Sequence, residues 1–397
     1  MRVSEKPAGK QIKRIVAGIY TDADFFPPTI SAILNFAEVS EEVILISRNN
    51  NAEDYPYPSN VRLKKIGRLC SVREMENQPV AIKAIEFLKF SFYLFWFSRN
   101  EKCELVALYD HIALFSFFLS KNISRKRNVW YHNHDMPIKG LIKRRSLGGL
   151  AASHEEKAIK YIDFFSLPSL ERLQFYPHID KQVSVFIIPN YPSLKVYGNL
   201  SPGNKSGETV KIIYQGFIGP GHALEEAIQC VANYQENSFQ LIFKGSVMPD
   251  YREKLDNLAR ELEVYDQVQW FQVGPYKELP KLTASCTIGI GVNKNTDIVN
   301  LNQGTASNKI YEYAACGLPV IVFDNEQFRR YLGKYEWVFY TDGSVDSLKD
   351  IMMGIKKNAA ELGKLARESF ERELNFEKVF FPVLEKVKAS IEKDKAN

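Results

Sequence analysis

Cysteine is scarce in this sequence, and its spacing suggests no pairing. Five cysteines (Cys70, Cys103, Cys230, Cys286 and Cys316) are scattered through 397 residues. Their number is odd and none stand in C-x-x-C spacing. Neither a disulfide framework nor a zinc site is expected, and they read as reduced core thiols of a cytosolic protein. No apolar run is long and uncharged enough for a transmembrane helix. Met1 to Arg14 is polar and lysine-rich, without the apolar core of a signal peptide. Short internal repeats and low-complexity segments are also missing. So are the patterns G-x-x-x-x-G-K-[ST] and G-x-S-x-G, which leaves P-loop and hydrolase readings without support. The loop Gly216 to His222 (GFIGPGH) lacks the G-x-G-x-x-G order, and no acidic residue closes a strand about 20 positions on, so a dinucleotide fingerprint is not supported. His154-Glu155-Glu156-Lys157-Ala158 begins like a zincin helix, but Ala158 stands where a second histidine is needed.

Charge of one sign is not strongly in excess. The 52 basic and 47 acidic residues leave a net +5. That is too little for a nucleic-acid footprint, so no nucleic-acid partner is expected. It suits phosphate-bearing ligands or an anionic membrane surface. Hydrophobic residues make up 45% and charged residues 25%, an ordinary globular balance that can fill the cores of two domains.

Short apolar runs alternate with helical patterns. Strands are expected at Lys13 to Ile19, Val43 to Ser47, Leu105 to Tyr109, Asn128 to Tyr131, Phe164 to Leu167 and Phe186 to Pro189. Helices are expected at Thr29 to Ala37, Ile112 to Ser120 and Glu155 to Tyr161. Asn190 to Glu208, rich in Pro, Gly, Ser and Asn, breaks the rhythm and reads as a linker. The alternation then restarts. Strands are expected at Val210 to Tyr214, Phe239 to Phe243, Val268 to Phe271, Thr287 to Val292 and Trp337 to Tyr340. Helices are expected from Ala223 and over Tyr251 to Glu263, and long charged helices over roughly Ser344 to Lys395. This is an α/β chain with two doubly wound halves, a fold that binds ligands at the carboxyl ends of its strands.

Ile82 to Phe97 (IKAIEFLKFSFYLFWF) is very aromatic but interrupted by Lys83, Glu86 and Lys89. It fits a helix buried on the sheet, or an interfacial helix lying on a membrane. Lys139, Lys143, Arg144 and Arg145 form a basic cluster that fits a solvated face or anionic headgroups.

The stretch Val299 to Phe323 reads as polar loop, short helix, Gly-Leu-Pro stop and buried strand. Ser307 is placed to cap the helix. Lys309 and Glu312 share one face, three residues apart. Gly317 and Pro319 end the helix. A loop feeding a helix N-terminus favours phosphate, and a carboxylate one turn in can accept from ribose hydroxyls. Tyr131-His132-Asn133-His134-Asp135 ends a strand, where histidine can donate to a sugar hydroxyl beside an orienting acid. Asp22-Ala-Asp24 has the D-x-D form that can hold a divalent metal over a diphosphate, though its place after the first strand argues against that.

With these pieces the chain resembles a glycosyltransferase of the GT-B architecture, in particular the retaining GT4-like enzymes (glycosyl transferases group 1). The resemblance is carried by Tyr214-Gln215-Gly216, Leu241 to Gly245, Ile187 to Asn190, His132 to Asp135, and Ser307 to Tyr313 followed by Gly317-Leu318-Pro319-Val320. It implies two Rossmann-like domains facing a central cleft. Residues 1–190 would form the acceptor domain, 191–208 a linker and 209–375 the nucleotide-sugar donor domain. Residues 376–397 would be a helix packing back on the first domain. It implies a UDP- or GDP-sugar donor, a glycan or polyprenyl-linked acceptor, and no cofactor or metal. A cytoplasmic location follows, peripheral on the membrane face. Glu312 would bind ribose. Lys309, Lys244, Ser307, Asn308 and the glycines Gly216 and Gly245 would hold the diphosphate. His134 would be catalytic, with His132 and Asp135 orienting it. The family's first glutamate would fall at Gly304, leaving that contact to Gln303, Thr305 or a backbone amide. The family's phosphate-binding Arg and Lys after the strand are replaced by Phe217 and His222. A metal-dependent transferase, a sugar-nucleotide epimerase and a non-catalytic sugar-nucleotide-binding subunit are the other readings.

Overall fold

The computed structural model describes residues 12–120, 128–136, 145–200, 209–234, 238–294, 300 and 303–396. Lys139, Lys143, Arg144, Val299, Leu301, Asn302 and residues 201–208 of the linker lie outside them. The chain divides into two compact units, Met1–Pro189 with Phe376–Asn397, and Asn190–Asn375.

In the first unit, the strands are β1 (Ile12–Gly18), β2 (Ser40–Arg48), β3 (Val61–Ile66), β4 (Cys103–Leu108), β5 (Asn128–His132), β6 (Phe164–Leu167) and β7 (Ser184–Ile187). They form one sheet in the order β3-β2-β1-β4-β5-β6-β7, parallel at each pairing. Successive side chains go to opposite faces. Val16, Ile44 and Val106 join one core with Phe87, Phe90 and Leu94 of the helix Val80–Ser98. Ile15, Val43 and Leu105 join the other with Phe36 of the helix Pro27–Val39. The C-terminal helix Phe376–Ala396 completes that second core, with Phe380 stacked 5.4 Å from Trp130.

β3 and the short helix Val72–Asn77 are not marked by any apolar run. β3 reads Val-Arg-Leu-Lys-Lys-Ile, an edge strand whose cations discourage pairing with another chain. The helix after it is set by Ser71 and Glu74, which bond each other's backbone in a capping box. The helix expected at Glu155 to Tyr161 instead runs over Leu147–Ile159. It starts early because the Ser146 hydroxyl accepts from the Gly149 amide. β7 lies at Ser184–Ile187, two residues before the expected run, where the edge strand needs no continuous apolar sequence.

In the second unit, β8 (Val210–Gln215), β9 (Phe239–Lys244), β10 (Val268–Phe271), β11 (Ile288–Gly291), β12 (Val320–Phe323) and β13 (Val338–Thr341) form a parallel sheet in the order β10-β9-β8-β11-β12-β13. The expected linker is not all loop. It holds a helical turn, Leu194–Tyr197, and Tyr197 is fully buried in the second unit's core. Arg367, on the long helix Val345–Arg372, donates to the carbonyls of Tyr197 and Ala315 (2.8 and 2.5 Å) and of Gly198 (2.7 Å). A buried cation thus closes the C-terminal end of the helix Asn308–Ala315, where its charge also suits the helix dipole. All five cysteines are buried and free. Among the described residues no helix is long and apolar enough to cross a membrane.

Candidate functional site

β8 and β9 lie side by side, and each gives way to glycine at its carboxyl end. Gly216 has φ +128° and Gly245 φ +146°, a region that disfavours side chains. The Gly216 amide donates to the Lys244 carbonyl at 2.9 Å. A Cβ on Gly245 would stand 1.8 Å from the Gly216 carbonyl oxygen, so the two loops approach backbone to backbone. A Cβ on Gly216 would meet Cε and Nζ of Lys309 at 3.4 Å. An anion lying against the Gly216 backbone would therefore face the Lys309 ammonium.

Lys309 stands in the first turn of the helix Asn308–Ala315. Its Nζ donates to the Tyr214 hydroxyl at 3.0 Å and lies 4.4 Å from that ring's centroid. Burial lowers its pKa to about 8, against the pull of the Glu312 carboxylate. His222 lies over the other side of this group, its ring 5.1 Å from that of Tyr214. Its Nδ1–H donates to the Val292 carbonyl at 3.1 Å. Burial, reinforced by Lys309, pushes the imidazole down to about 4, so it is neutral at neutral pH. Lys244 points its Nζ to the Gln272 carbonyl at 2.5 Å, and burial lowers its pKa.

Glu312 is buried, and its two oxygens are held separately. Oε2 accepts from Gln215 Nε2 at 2.5 Å and Oε1 from the Tyr276 hydroxyl at 2.9 Å. Burial raises its pKa, and hydrogen bonds from Tyr276, Gln215 and Tyr197 oppose the rise. Gln215 is fixed in turn, since its Oε1 accepts from Thr283 at 2.8 Å. Lys309 and Glu312 share a helix face as expected, but among the described residues they form no ion pair. Each is drawn to a different strand-end partner.

The loop before this helix is pinned. Asn190 binds the Thr305 carbonyl through its amide (3.1 Å) and the Ala306 carbonyl through its side chain (2.8 Å). The Ala306 amide donates to the Gln303 carbonyl at 2.7 Å. Thr305 and Ser307 are buried and Gln303 is half-buried. Ser307 occupies the N-cap position but makes no side-chain capping bond, contrary to the role its type suggests. Asn308 Oδ1 is buried without a partner. At Gly304 the chain takes φ +48°, and the amide is already bound to Gln327 Oε1 at 2.8 Å.

In the first unit, His132, His134 and Asp135 follow the end of β5. His134 is buried and stacked between Phe26 and Tyr109, at 5.5 and 5.3 Å between ring centroids. Its Nε2 meets Thr29 Oγ1 at 2.7 Å, and its carbonyl accepts from Arg172 at 2.7 Å. Nδ1 has no partner. His132 lies edge-on at 4.6 Å, with Nδ1 bound to Ser166 Oγ at 2.7 Å. Burial pushes His132 down to about 3 and His134 well below its usual range, helped by the neighbouring imidazole and Arg172. Asp135 is exposed and bonds neither imidazole among the described residues. The orienting groups are thus Thr29, Phe26, Tyr109 and Arg172, in place of the expected His132 and Asp135. Thr29 reaches His134 because Pro27 and Pro28 start the helix directly after Phe26.

Asp22 and Asp24 are tied into the same unit's loops. Asp22 accepts from the amides of Asp24 and Asn50 and from Lys65 Nζ. Asp24 accepts from the Tyr55 amide and the Tyr57 hydroxyl, both at 2.7 Å. Gln215, Tyr276, Asn190, Thr29 and Arg172 are the groups that sequence reasoning did not assign. Gln215 alone carried a signal, as the last residue before a strand-end glycine.

Residues 201–371 match the family model described as Glycosyl transferases group 1. That stretch is a group 1 glycosyl transferase domain. It contains the glycine-ended strands and the helix Asn308–Ala315. Solved structures with the same GT-B fold align along almost the whole chain. Sucrose-phosphate synthase from Thermosynechococcus elongatus superposes with a TM-score of 0.66 at 15% identity, over 97% of this chain and 100% of that one. Anabaena HepE, in complex with UDP and glucose, gives 0.68 at 12% identity, over 95% and 100%. WaaG, a glycosyltransferase involved in lipopolysaccharide biosynthesis, gives 0.63 at 13% identity, over 95% and 99%. No curated protein matches the chain. The two sheets are the Rossmann-like domains of this group 1 glycosyl transferase architecture.

Proposed function

We propose that this protein is a GT4-like transferase that moves a sugar from a nucleotide-diphospho sugar, UDP- or GDP-linked, to a glycan or polyprenyl-linked acceptor. The observation that carries the reading is Lys309 held over the Gly216 backbone, one helical turn from the buried carboxylate of Glu312. A cation beside bare backbone suits a diphosphate, and a carboxylate with remaining lone pairs suits ribose hydroxyls. HepE, crystallised with UDP and glucose, supports the donor class by its likeness.

In this reading the acceptor oxygen bonds to the anomeric carbon as the bond from that carbon to the phosphate oxygen breaks. The acceptor proton passes to a phosphate oxygen and the nucleoside diphosphate leaves. Attack on the leaving-group face retains the configuration. Lys309, Lys244 and the loop around Ser307 and Asn308 stabilise charge growing on the diphosphate, the largest single contribution to rate. His134, neutral and with Nδ1 unpartnered, serves a sugar hydroxyl. Gln303 or Thr305 takes the place of the family's first glutamate. The reading calls on no resident metal or cofactor, and it places the protein on the cytoplasmic face of a membrane.

A donor-binding subunit without transfer is the second reading. It is favoured by Gly304, whose amide is already taken by Gln327. The test is a thermal-shift panel of UDP-, GDP- and ADP-sugars, then product analysis with the best donor and cell glycan or lipid extracts. Stabilisation by one donor and a glycosylated product support transfer. Stabilisation without any product favours the subunit. An epimerase would convert the donor with no acceptor present. No stabilisation by any donor overturns the reading.

A further inference from the structure

The helix Val80–Ser98 buries one face and leaves the other bare. Phe87, Phe90 and Leu94 enter the core. On the opposite face Leu88, Phe92 and Trp96 are 64%, 55% and 62% exposed, and Ile82 and Ile85 continue the stripe toward the helix start. The spacing of three, three, four and four keeps these residues on one side of a helix about 28 Å long. A continuous apolar face of this size on a folded domain marks an interaction surface.

What lies beside the stripe says what kind. Two adjoining open grooves run between this helix and the edge strand β3 with the chain that follows it. One, of about 770 Å³, is lined by Arg68, Arg73, Gln78, Ile82, Ile85 and Lys89 among others. The next, of about 480 Å³, is lined by Lys64, Ile85, Leu88, Lys89, Phe92 and Tyr93 among others. The acids here are already engaged. Glu86 is paired with buried Arg48, and Glu74 with Ser71 in the capping box. Arg73 and Lys89 are exposed and make no ion pair among the described residues. Gln78 is buried, and its Oε1 has no partner. The surface therefore pairs a hydrocarbon face with a cationic groove, and Trp96 has the amphipathic ring that settles at a headgroup layer.

We infer that the first unit docks on an anionic bilayer through the stripe Ile85, Leu88, Phe92 and Trp96, with a lipid phosphate seated between Arg68, Arg73 and Lys89. The inference deepens the membrane location in the proposed function and rests on that reading only for the source of a lipid-borne acceptor. A second copy of this chain would bury the stripe equally well but would leave the cations unmatched. An anionic headgroup layer matches both.

The test is flotation of the full chain with vesicles of phosphatidylcholine, with or without phosphatidylglycerol. The wild-type chain is expected to float with the anionic vesicles and to remain behind with the neutral ones. Leu88→Asp with Phe92→Asp should abolish flotation. Arg73→Glu with Lys89→Glu should weaken it about tenfold or more, since each basic residue near such a surface contributes on the order of 1 kcal/mol. All four positions are exposed, so unchanged circular-dichroism melts should accompany both variants. Flotation that ignores lipid charge, or that survives both double variants, overturns the inference. So does a wild-type dimer that Leu88→Asp with Phe92→Asp dissolves. Thermal shifts by nucleotide sugars report on the second unit and keep failure of the donor reading distinct from failure of this one.

Discussion

Lys309 gives its ammonium to the Tyr214 hydroxyl at 3.0 Å, while Glu312, one turn along the same helix, is held by Gln215 and Tyr276. A cation and a carboxylate on one helix face would ordinarily quench each other. Here each is kept available at the carboxyl end of β8. The cation keeps part of its charge for an anion. The carboxylate keeps its second lone pairs for hydroxyl donors.

The first prediction concerns that cation. With Lys309 lowered to about 8, its ammonium is full at pH 6.5 and largely lost by pH 9.5. Affinity for UDP or GDP should fall as pH rises through this window, measured by calorimetry at constant ionic strength. Lys309→Met should bind weakly at low pH and lose the dependence. A flat wild-type profile would count against Lys309 as the diphosphate partner.

Glu312→Ala should weaken donor binding by about ten- to a hundredfold, since a hydrogen bond to a charged group contributes about 1.5–3 kcal/mol. Tyr276→Phe removes one of the donors that hold the carboxylate down, so its pKa should rise further. Donor affinity in that variant should decline at a higher pH than in the wild type as the solution is acidified. Unchanged affinity in Glu312→Ala would remove the ribose assignment.

His134→Ala should reduce turnover more than it weakens donor binding. Thr29→Val, which deletes the hydroxyl on Nε2, should give a smaller loss in the same direction. Because burial holds both imidazoles far below their usual range, turnover should show no histidine titration between about pH 6 and 8. Steady-state kinetics across pH, beside donor binding, separates these outcomes.

Gly245→Ala places a methyl where the Gly216 carbonyl oxygen already is. The strand ends must move apart, at a cost of about 3 kcal/mol or more. A lower melting temperature together with lost donor binding is expected. Gly354→Ala, whose Cβ would meet nothing within 4 Å, is the control and should be near neutral or slightly stabilising.

The regular alternation of apolar runs and helical patterns exposes the two parallel sheets, because buried parallel strands read as short hydrophobic blocks. β3 escaped that reading because its edge position replaces apolar residues with Arg62, Lys64 and Lys65. Glu312, Lys309 and Gly216 could be singled out by position on a loop, strand end or helix. Their partners could not. Tyr276 is 36 residues from Glu312 and Thr29 is 105 from His134, and only the folded sheets bring them together. The aromatic helix is the intermediate case. Its sequence left a buried and an interfacial face equally open, and the structure uses both, one on each side.

The backbone contact between Gly216 and Gly245 also limits how this protein can change. Neither position can accept a side chain without parting two neighbouring strands, so neither can be used to tailor the protein to a different sugar. Variation in donor preference must fall on residues around the contact that do carry side chains, such as Phe217, Gln303 and Thr305. In a set of related chains, the pair of glycines should vary together or not at all, while those three positions drift.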